Sequence, residues 1–271
     1  MQERHLTTIN GASTSWQVAH RGTEADLGVL QQVFAEQSYA MSRFDRWPGL
    51  VRYASADALG GQPLVIDCGA NIGASSMYFS ILYPEARVVA VEPERENFEL
   101  LLANVAPFPG VRAVRKAIAS ARGKLSLSDP GIGAWGYRTD VEGGAGVVLE
   151  EVEATTVAEI LAEEQASIPF VLKIDIEGAE GELFSKDTGA LARFPVVIVE
   201  LHDWMLPAQR TSRSFLEWHL TQQRDFVYHG ENVFSISSTL ASSDEPGSAE
   251  RAAGDEVGER TRSPADAQCA V

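Results

Sequence analysis

The sequence predicts an α/β fold built on a doubly wound, mostly parallel sheet. Short apolar runs alternate with helix-like patterns between residues 64 and 237, which is typical of βαβ units. Several of these runs are apolar throughout, as expected for strands that are buried on both faces. The chain has 271 residues, enough for one sizeable core with modest additions.

The chain ahead of the sheet, residues 1–60, is expected to be a helical lead-in. The segment EADLGVLQQVFAEQ carries apolar residues at helical spacing: Leu27, Leu30, Val33 and Phe34. We therefore predict one or two helices that cover the ligand cleft.

The sheet itself is assigned to a domain at 61–241. Its predicted strands are LVIDC (64–68), RVVAVE (87–92), VRAVRKA (111–117), FVLKIDI (170–176), VVIVELH (196–202), DFVYHG (225–230) and NVFSIS (232–237). The last two are predicted to form a terminal pair.

A β insertion is predicted within this domain. KLSLSD (124–129) and VVLEEVEA (147–154) alternate with period two and flank a glycine-rich stretch. This pattern indicates an antiparallel insertion with a mobile loop. Trp135 and Tyr137 in that loop are candidates for covering a substrate, because long glycine-rich loops often act as lids.

Residues 242–271 are expected to be a disordered acidic tail. The segment contains no aromatic residue, Leu or Ile, so it cannot bury enough apolar surface to offset the entropy of ordering. Its removal is not expected to affect the chemistry.

Composition limits the partners. The formal net charge of −16 repels a phosphate backbone, so nucleic acid is not an expected partner. We see no run long enough to span a bilayer and no secretory signal, and we expect a cytoplasmic protein without a membrane partner. The oligomeric state is left open, a homodimer being one option.

The motif VIDCGANIG (65–73) places a glycine turn between a strand and a helix, where backbone N–H groups face a ligand. The order is Asp67, Gly69, Asn71, Gly73, which differs from the dinucleotide pattern G-x-G-x-x-G. A carboxylate directed at this turn would repel a pyrophosphate but attract a cation or an amine. S-adenosylmethionine offers both a sulfonium and an ammonium group, so we predict that these four residues bind it.

A second acid supports this prediction. Glu92 lies at the tip of the next predicted strand, about 20 residues beyond the turn, where folds of this kind bind ribose hydroxyls. A carboxylate accepts both hydroxyl protons at once. We therefore assign Glu92 to the ribose of the cofactor.

The motifs VIDCGANIG, VVAVEPE, VLKIDIEGAE and VEATTVAEIL together resemble the FkbM family of methyltransferases. The resemblance runs from about Arg21 to Ser237. It implies a class I, S-adenosylmethionine-dependent methyltransferase with a Rossmann-like sheet of seven strands whose last strand is antiparallel. It also implies O-methylation of a hydroxyl on a small molecule such as a sugar, a glycoside or a polyketide-type secondary metabolite. Cys68 stands where the family more commonly has valine or isoleucine.

Candidates for the chemistry follow the fourth and fifth strands of the sheet. LKIDIEGAE ends one strand with Asp175, Glu177 and Glu180, and VIVELHDW ends the other with Glu200, His202 and Asp203. The carboxyl ends of neighbouring parallel strands meet at one sheet edge, so these groups are expected to converge. We predict Asp175, Glu177 and His202 as catalytic residues and Glu200 as a substrate-binding residue.

Two mechanisms remain open at this point. His202 or Asp175 acts directly as general base, which we favour because no spacing fixes an octahedral metal site. Alternatively, Asp175, Glu200 and His202 bind Mg²⁺ or another divalent ion that lowers the pKa of the acceptor hydroxyl.

Other functions are also considered. An NAD(P)-dependent oxidoreductase or epimerase would share the doubly wound fold, but the glycine spacing is wrong and no Tyr-x-x-x-Lys pair follows the fourth strand. A nucleic-acid methyltransferase should show Asn/Asp-Pro-Pro-Tyr or Pro-Cys, and the sequence has neither. A non-catalytic protein that binds S-adenosylmethionine remains an alternative.

Overall fold

A computed structural model describes residues 4–11, 14–53, 60–129, 138–140, 147–186, 188–206 and 208–238, with residues 129, 138–140 and 147 described in their backbone alone. Its strands are β1 His5–Asn10, β2 Ser15–His20, β3 Gln62–Cys68, β4 Arg87–Val91, β5 Val111–Val114, β6 Ala117–Ile118, β7 Gly123–Asp129, β8 Arg138–Asp140, β9 Val147–Thr155, β10 Ser167–Ile174, β11 Val196–Glu200, β12 Asp225–His229 and β13 Asn232–Ile236.

The helices are α1 Glu24–Leu30, α2 Trp47–Tyr53, α3 Ala74–Leu82, α4 Arg95–Val105, α5 Val157–Glu163, α6 Glu180–Leu183 and α7 Ser212–Thr221. A π-helical turn, Gln31–Ala35, extends α1, and a 3₁₀ turn, Leu191–Arg193, precedes β11. Within the described part of the chain, no helix has the length and apolar character needed to cross a bilayer.

The main sheet has seven strands in the order β12-β13-β11-β10-β3-β4-β5 among the described residues. Every neighbouring pair is parallel except the two that involve β13. The predicted class I methyltransferase architecture, mostly parallel with an antiparallel last strand, is therefore confirmed. Because β3 begins the sheet near its centre and the chain then winds outward in both directions, the tips of β3, β4, β10 and β11 are brought together at one edge.

The core lies on both faces of this sheet. Val65 of β3 packs in one apolar cluster with α3 and α4, whereas Leu64 and Ile66 pack in a second cluster with α5 and α7. All three side chains are fully buried. This explains why the strands read as continuous apolar runs rather than as alternating patterns.

The β insertion forms a separate sheet of four strands in the order β6-β9-β7-β8. β7 pairs antiparallel with β9 along its whole length, with one register shift between Leu127 and Ser128, as their period-two patterns predict. Trp135 and Tyr137, the predicted substrate cover, lie outside the described residues, as does the predicted tail.

The lead-in differs from the helical prediction in one respect. β1 and β2 form an antiparallel hairpin ahead of α1. Its β-branched pairs, such as Thr7 with Val18, suit a strand better than a helix. Asn104 of α4 fixes this hairpin: its side chain accepts a hydrogen bond from Ala19 N (2.6 Å) and donates to Ala19 O (2.9 Å) and Ile72 O (2.7 Å). The helical prediction missed the hairpin because it relied on the 24–37 pattern alone.

Candidate functional site

The glycine turn between β3 and α3 needs its glycines. Gly69 has φ +77°, and a Cβ there would lie 1.8 Å from the carbonyl oxygen of Asp175. Gly73 has φ +90°, and a Cβ there would lie 2.7 Å from Leu101 Cδ1. Only glycine combines this left-handed backbone with such close approach. The turn is therefore held tightly between the tip of β10 and helix α4.

Asp67 does not line the cleft, contrary to the prediction that it contacts the cofactor directly. The residue is fully buried beneath the turn. Its Oδ2 accepts hydrogen bonds from Ser75 Oγ and Ser76 Oγ, both at 2.6 Å, and its Oδ1 lies 3.2 Å from Lys173 Nζ. Both oxygens are thus engaged inside the protein, and Asp67 acts on the turn through these partners.

Lys173 of β10 connects the turn to the next strand tip. Its Nζ donates to Gly69 O at 2.6 Å and lies 3.4 Å from Asp175 Oδ2, in addition to its contact with Asp67. Burial alone would lower the pKa of Lys173, but the carboxylate of Asp67 and its other neighbours hold that pKa well above its usual value. Lys173 is therefore a buried ammonium. Its position, a single charge inside an apolar strand, was the available signal for this role.

Glu92 lies immediately after β4 and faces the same turn. Its Oε2 accepts a hydrogen bond from Asn71 N at 2.9 Å, and its Oε1 accepts one from Glu94 N at 3.0 Å. Burial raises the pKa of Glu92 to about 7, despite these hydrogen bonds. Asn71 has φ +50°, and its buried Oδ1 has no hydrogen-bond partner among the described residues. The glycine turn and the Glu92 carboxylate thus form one cradle, in which the side-chain oxygen of Asn71 is still available as an acceptor.

The acids predicted at the tips of β10 and β11 do converge, and they surround one histidine. His202 Nε2 lies 3.7 Å from Asp175 Oδ1, 3.5 Å from Glu177 Oε2 and 3.6 Å from Glu200 Oε1. On the other side of the ring, His202 Nδ1 lies 3.0 Å from Glu180 Oε1. We call these five residues the acidic centre.

Glu180 holds the histidine in place, a role that the sequence did not reveal. The residue is fully buried, and its Oε1 accepts hydrogen bonds from Ile176 N and Gly178 N, both at 3.2 Å, besides facing His202. Burial alone would lower the pKa of His202, but the bond to Glu180 and the surrounding carboxylates raise it to about 10. At neutral pH His202 is therefore an imidazolium whose Nδ1 donates to Glu180 and whose Nε2 faces the carboxyl groups of the other three acids.

Two of the acids, Glu177 and Glu200, bind protons more tightly than usual. Burial and the nearby charge of Asp175 raise the pKa of Glu177 to about 9 and that of Glu200 to about 8. Glu177 also has φ +57°, a conformation that costs a non-glycine residue on the order of 1–3 kcal/mol. Strained backbone and crowded acids at one strand tip are typical of a functional site.

Two further observations concern ligands of this centre. Asp175 Oδ1 is buried and has no hydrogen-bond partner among the described residues. One ligand atom each from Asp175, Glu200 and His202 lie within 4.8 Å of one another, which is compatible with a divalent cation. The two mechanisms left open by the sequence thus share Asp175 and His202, and the metal mechanism adds Glu200. Asp203 faces away and instead accepts hydrogen bonds from Thr211 and Ser212 at the start of α7.

Comparison with known proteins gives consistent results. Residues 67–229, more than half of the chain, match the sequence model of the methyltransferase FkbM domain. Hexuronic acid methyltransferase AglP from Haloferax volcanii is 31% identical over 169 residues, which cover 59% of this chain and 67% of AglP. Methyltransferase sdnD from Sordaria araneosa is 28% identical over 156 residues, and the match spans only 60% of its length and 46% of this chain.

Among solved structures, methyltransferase FkbM from Methylobacillus flagellatus KT aligns with a TM-score of 0.42 and 14% identity. The alignment covers 78% of this chain and 59% of that protein.

Proposed function

Because this chain belongs to the FkbM family of methyltransferases, we propose that it transfers a methyl group from S-adenosylmethionine to a hydroxyl oxygen of a small molecule. The observation that carries this proposal is the junction of two sites at one sheet edge. The glycine turn and Glu92 form a cofactor cradle, and the acidic centre lies beside it, joined through Lys173.

The residues at the turn fit the cofactor. The free Oδ1 of Asn71 is an acceptor for a polar group of the ligand, and Glu92 at the tip of β4 suits a pair of ribose hydroxyls. The N–H groups of Gly69, Ala70, Asn71 and Gly73 are already hydrogen-bonded within the protein, so the turn contributes its shape and the Asn71 oxygen rather than free N–H donors. Bound here, S-adenosylmethionine would supply an electrophilic methyl group beside the tip of β10.

The acceptor hydroxyl needs a base, and Asp175 fits this role best. His202 is already an imidazolium, so it is poorly suited to accept another proton. Asp175 Oδ1 lacks a hydrogen-bond partner among the described residues, while Asp175 Oδ2 contacts the ammonium of Lys173. We infer that Asp175 accepts the proton as the methyl group is transferred. The positive charges of Lys173 and His202 hold Asp175 in place for this step.

A divalent cation is the second candidate for activating the acceptor hydroxyl, because Asp175, Glu200 and His202 converge. A cation here would replace the protons of this crowded centre and lower the pKa of the acceptor hydroxyl. The mixed set of two carboxylates and one imidazole suits Mn²⁺ or Zn²⁺ as well as Mg²⁺.

For the acceptor we propose a hydroxylated sugar, a glycoside or a polyketide-type metabolite. AglP is named as a hexuronic acid methyltransferase, so uronic acids are one class of acceptor to be tested. The carboxylates of the acidic centre disfavour an anionic group next to the reacting hydroxyl, so neutral glycosides are the other class.

The test combines binding and turnover. Calorimetry of the full chain should show binding of S-adenosylmethionine, and NAD should bind more weakly. A panel of neutral glycosides, uronic acids and polyketide alcohols is then incubated with methyl-labelled cofactor, and O-methylated products are identified by mass spectrometry. Preferential binding of NAD would refute the proposal. Cofactor binding with no methylated product anywhere in the panel would instead favour the non-catalytic alternative.

A further inference from the structure

The segment that follows α1 crosses the carboxyl edge of the main sheet. Gln32 Nε2 donates a hydrogen bond to Glu231 Oε2 at 2.7 Å, and Arg43 Nη1 lies 2.9 Å from His229 Nδ1. His229 and Glu231 flank the turn between β12 and β13, beside Glu200 at the end of β11. Two anchors thus hold the segment near the acidic centre.

Tyr39 lies between these two anchors. Its side chain is only 6% exposed, and its ring packs against Tyr78 and Phe79 of α3, with centroid distances of 6.2 and 5.5 Å. The helix ahead of it ends in the π-helical turn Gln31–Ala35, and Gln37 then adopts φ +53°. Such irregular backbone often marks a functional position, and here it reverses the chain just before Tyr39.

The hydroxyl of Tyr39 is near charged groups but has no partner of its own. Burial raises its pKa, and the charges of Lys173, Asp175 and Asp67 all act on it. Among the described residues, no hydrogen bond to this hydroxyl is present. Buried tyrosine hydroxyls usually have one. The Tyr39 side chain is thus more than nine-tenths buried, and its unpartnered hydroxyl lies near Lys173 and Asp175, at the border of the cofactor cradle and the acidic centre.

The position of Tyr39 relative to Glu92 identifies its ligand. Glu92 follows β4, on one side of β3, whereas Lys173 and Asp175 lie on or just after β10, on the other side. A cofactor whose ribose meets Glu92 and which crosses the glycine turn extends its amino-acid end toward β10. The carboxylate of that end needs a hydrogen-bond donor among groups that are mostly acids. Lys173 Nζ already faces three oxygens.

We propose that the Tyr39 hydroxyl donates a hydrogen bond to the carboxylate of the methionine moiety of S-adenosylmethionine. This inference rests on the proposed function. It assigns a cofactor-binding residue to the lead-in, which precedes the residues that match the family. The lead-in then completes the cofactor site rather than merely covering it.

The test compares two tyrosine-to-phenylalanine variants of the full chain with two ligands. Tyr39→Phe removes the hydroxyl but keeps the packing ring. Tyr53→Phe is the matched control, because the Tyr53 hydroxyl donates to Pro169 O at 3.0 Å, near the opposite end of β10. The ligands are S-adenosylmethionine and 5′-methylthioadenosine, which retains the nucleoside and the sulfur but lacks the amino-acid end.

We expect Tyr39→Phe to weaken binding of S-adenosylmethionine roughly 10- to 100-fold, the usual range for a hydrogen bond to a charged group, without changing the affinity for 5′-methylthioadenosine. Tyr53→Phe should change neither affinity. Both variants are checked for folding by thermal denaturation.

Unchanged binding of S-adenosylmethionine by Tyr39→Phe would overturn the inference, as would an equal loss for both ligands, because that would indicate a general structural effect. If the unsubstituted protein binds neither ligand, the proposed function fails and the inference fails with it. If the unsubstituted protein binds both ligands, a negative result with Tyr39→Phe counts against the inference alone and not against the proposed function.

Discussion

Lys173 and Asp67 form a buried ion pair, with 3.2 Å between Nζ and Oδ1, side by side on neighbouring parallel strands. This ion pair connects the glycine turn with the acidic centre. Asp67 holds the start of α3 through Ser75 and Ser76, whereas Lys173 reaches Gly69 O and Asp175. The turn proposed to bind the cofactor and the carboxylate proposed as base are therefore positioned by one ammonium group.

Replacing Lys173 by Met should lower the free energy of unfolding by about 3–5 kcal/mol, because the fully buried carboxylate of Asp67 loses its counter-charge. Lys186→Met is the control: Lys186 pairs with Glu182 at the surface, and such pairs contribute less than about 1 kcal/mol. Urea unfolding measures both. Equal effects of the two substitutions would show that the buried pair contributes no more than a surface pair.

Gly69→Ala should destabilise the protein by at least about 2 kcal/mol, because its Cβ would overlap the backbone of Asp175 and its φ of +77° disfavours any side chain. It should also weaken binding of S-adenosylmethionine. Gly28→Ala in α1 is the control, since a Cβ there meets no atom within 4 Å, and a gain of up to about 1 kcal/mol is expected. Thermal denaturation measures the stability of both variants, and calorimetry measures their affinity for S-adenosylmethionine. Normal cofactor affinity in Gly69→Ala would refute the role of the turn.

The pKa of Glu92, raised to about 7 by burial, predicts a pH dependence. Ribose hydroxyls donate to an ionised carboxylate, so affinity for S-adenosylmethionine should increase as the pH rises through about 7. Stability should change in the opposite direction. The folded state binds more protons than the unfolded state between pH 4.5 and about 7, so the contribution of Glu92 to the free energy of unfolding decreases across that window.

Glu92→Gln tests the predicted pH dependence of cofactor affinity. The variant should bind S-adenosylmethionine more weakly, and the step in affinity near neutral pH should disappear. Calorimetry at several pH values measures this. A step that persists in Glu92→Gln would have to come from another group and would contradict the assignment to the ribose.

Much of the fold followed from the sequence because strand burial and chain order are local signals. The apolar runs that contain Val65 and Val171 predicted central strands, and the parallel order then placed Asp175 and Glu200 at one edge. Acids that directly follow buried parallel strands lie at the carboxyl edge of the sheet, where the ends of neighbouring strands meet. The convergence of the acidic centre was predictable for this reason.

Other features depend on contacts that are distant in sequence. Asp67 and Glu92 both occupy strand tips, yet Asp67 points beneath the turn and Glu92 points into the cradle. The packing of α3 and the contact with Lys173, 106 positions after Asp67, decide this difference. The role of Glu180 likewise depends on a histidine 22 residues away. Nothing in the local pattern distinguishes it from an ordinary acid in a first helical turn.

Glu180→Gln should lower the pKa of His202 from about 10, because the buried charge that favours the imidazolium is removed. A raised histidine pKa stabilises the folded state fully below pH 6.5, and this contribution is lost as the pH rises through about 10. The free energy of unfolding should therefore decrease toward pH 10 in the unsubstituted protein and less steeply in the variant. Glu182→Gln, at a half-exposed acid of the same helix, is the control. Identical pH profiles for all three proteins would contradict the arrangement.

Asp175→Asn should reduce turnover of the best acceptor in the panel by roughly 10²- to 10⁴-fold, the usual effect of losing a general base. Binding of S-adenosylmethionine should be nearly unchanged, because the turn and Glu92 are intact. Glu217→Gln, at an exposed acid that pairs with Arg213 on α7, is the control and should retain full activity. Substantial turnover by Asp175→Asn would exclude Asp175 as the base.

The same enzyme preparation separates the two mechanisms. Full activity in EDTA is expected if the imidazolium of His202 and the ammonium of Lys173 supply the positive charge near Asp175, as their contacts indicate. A metal-dependent enzyme would instead lose activity in EDTA and regain it with Mg²⁺ or Mn²⁺, because the cation and not the carboxylate would lower the acceptor pKa. In that case Glu200→Gln should weaken metal binding, measured by calorimetry with Mn²⁺. Loss and recovery of activity would overturn the direct-base mechanism and establish Asp175, Glu200 and His202 as metal ligands.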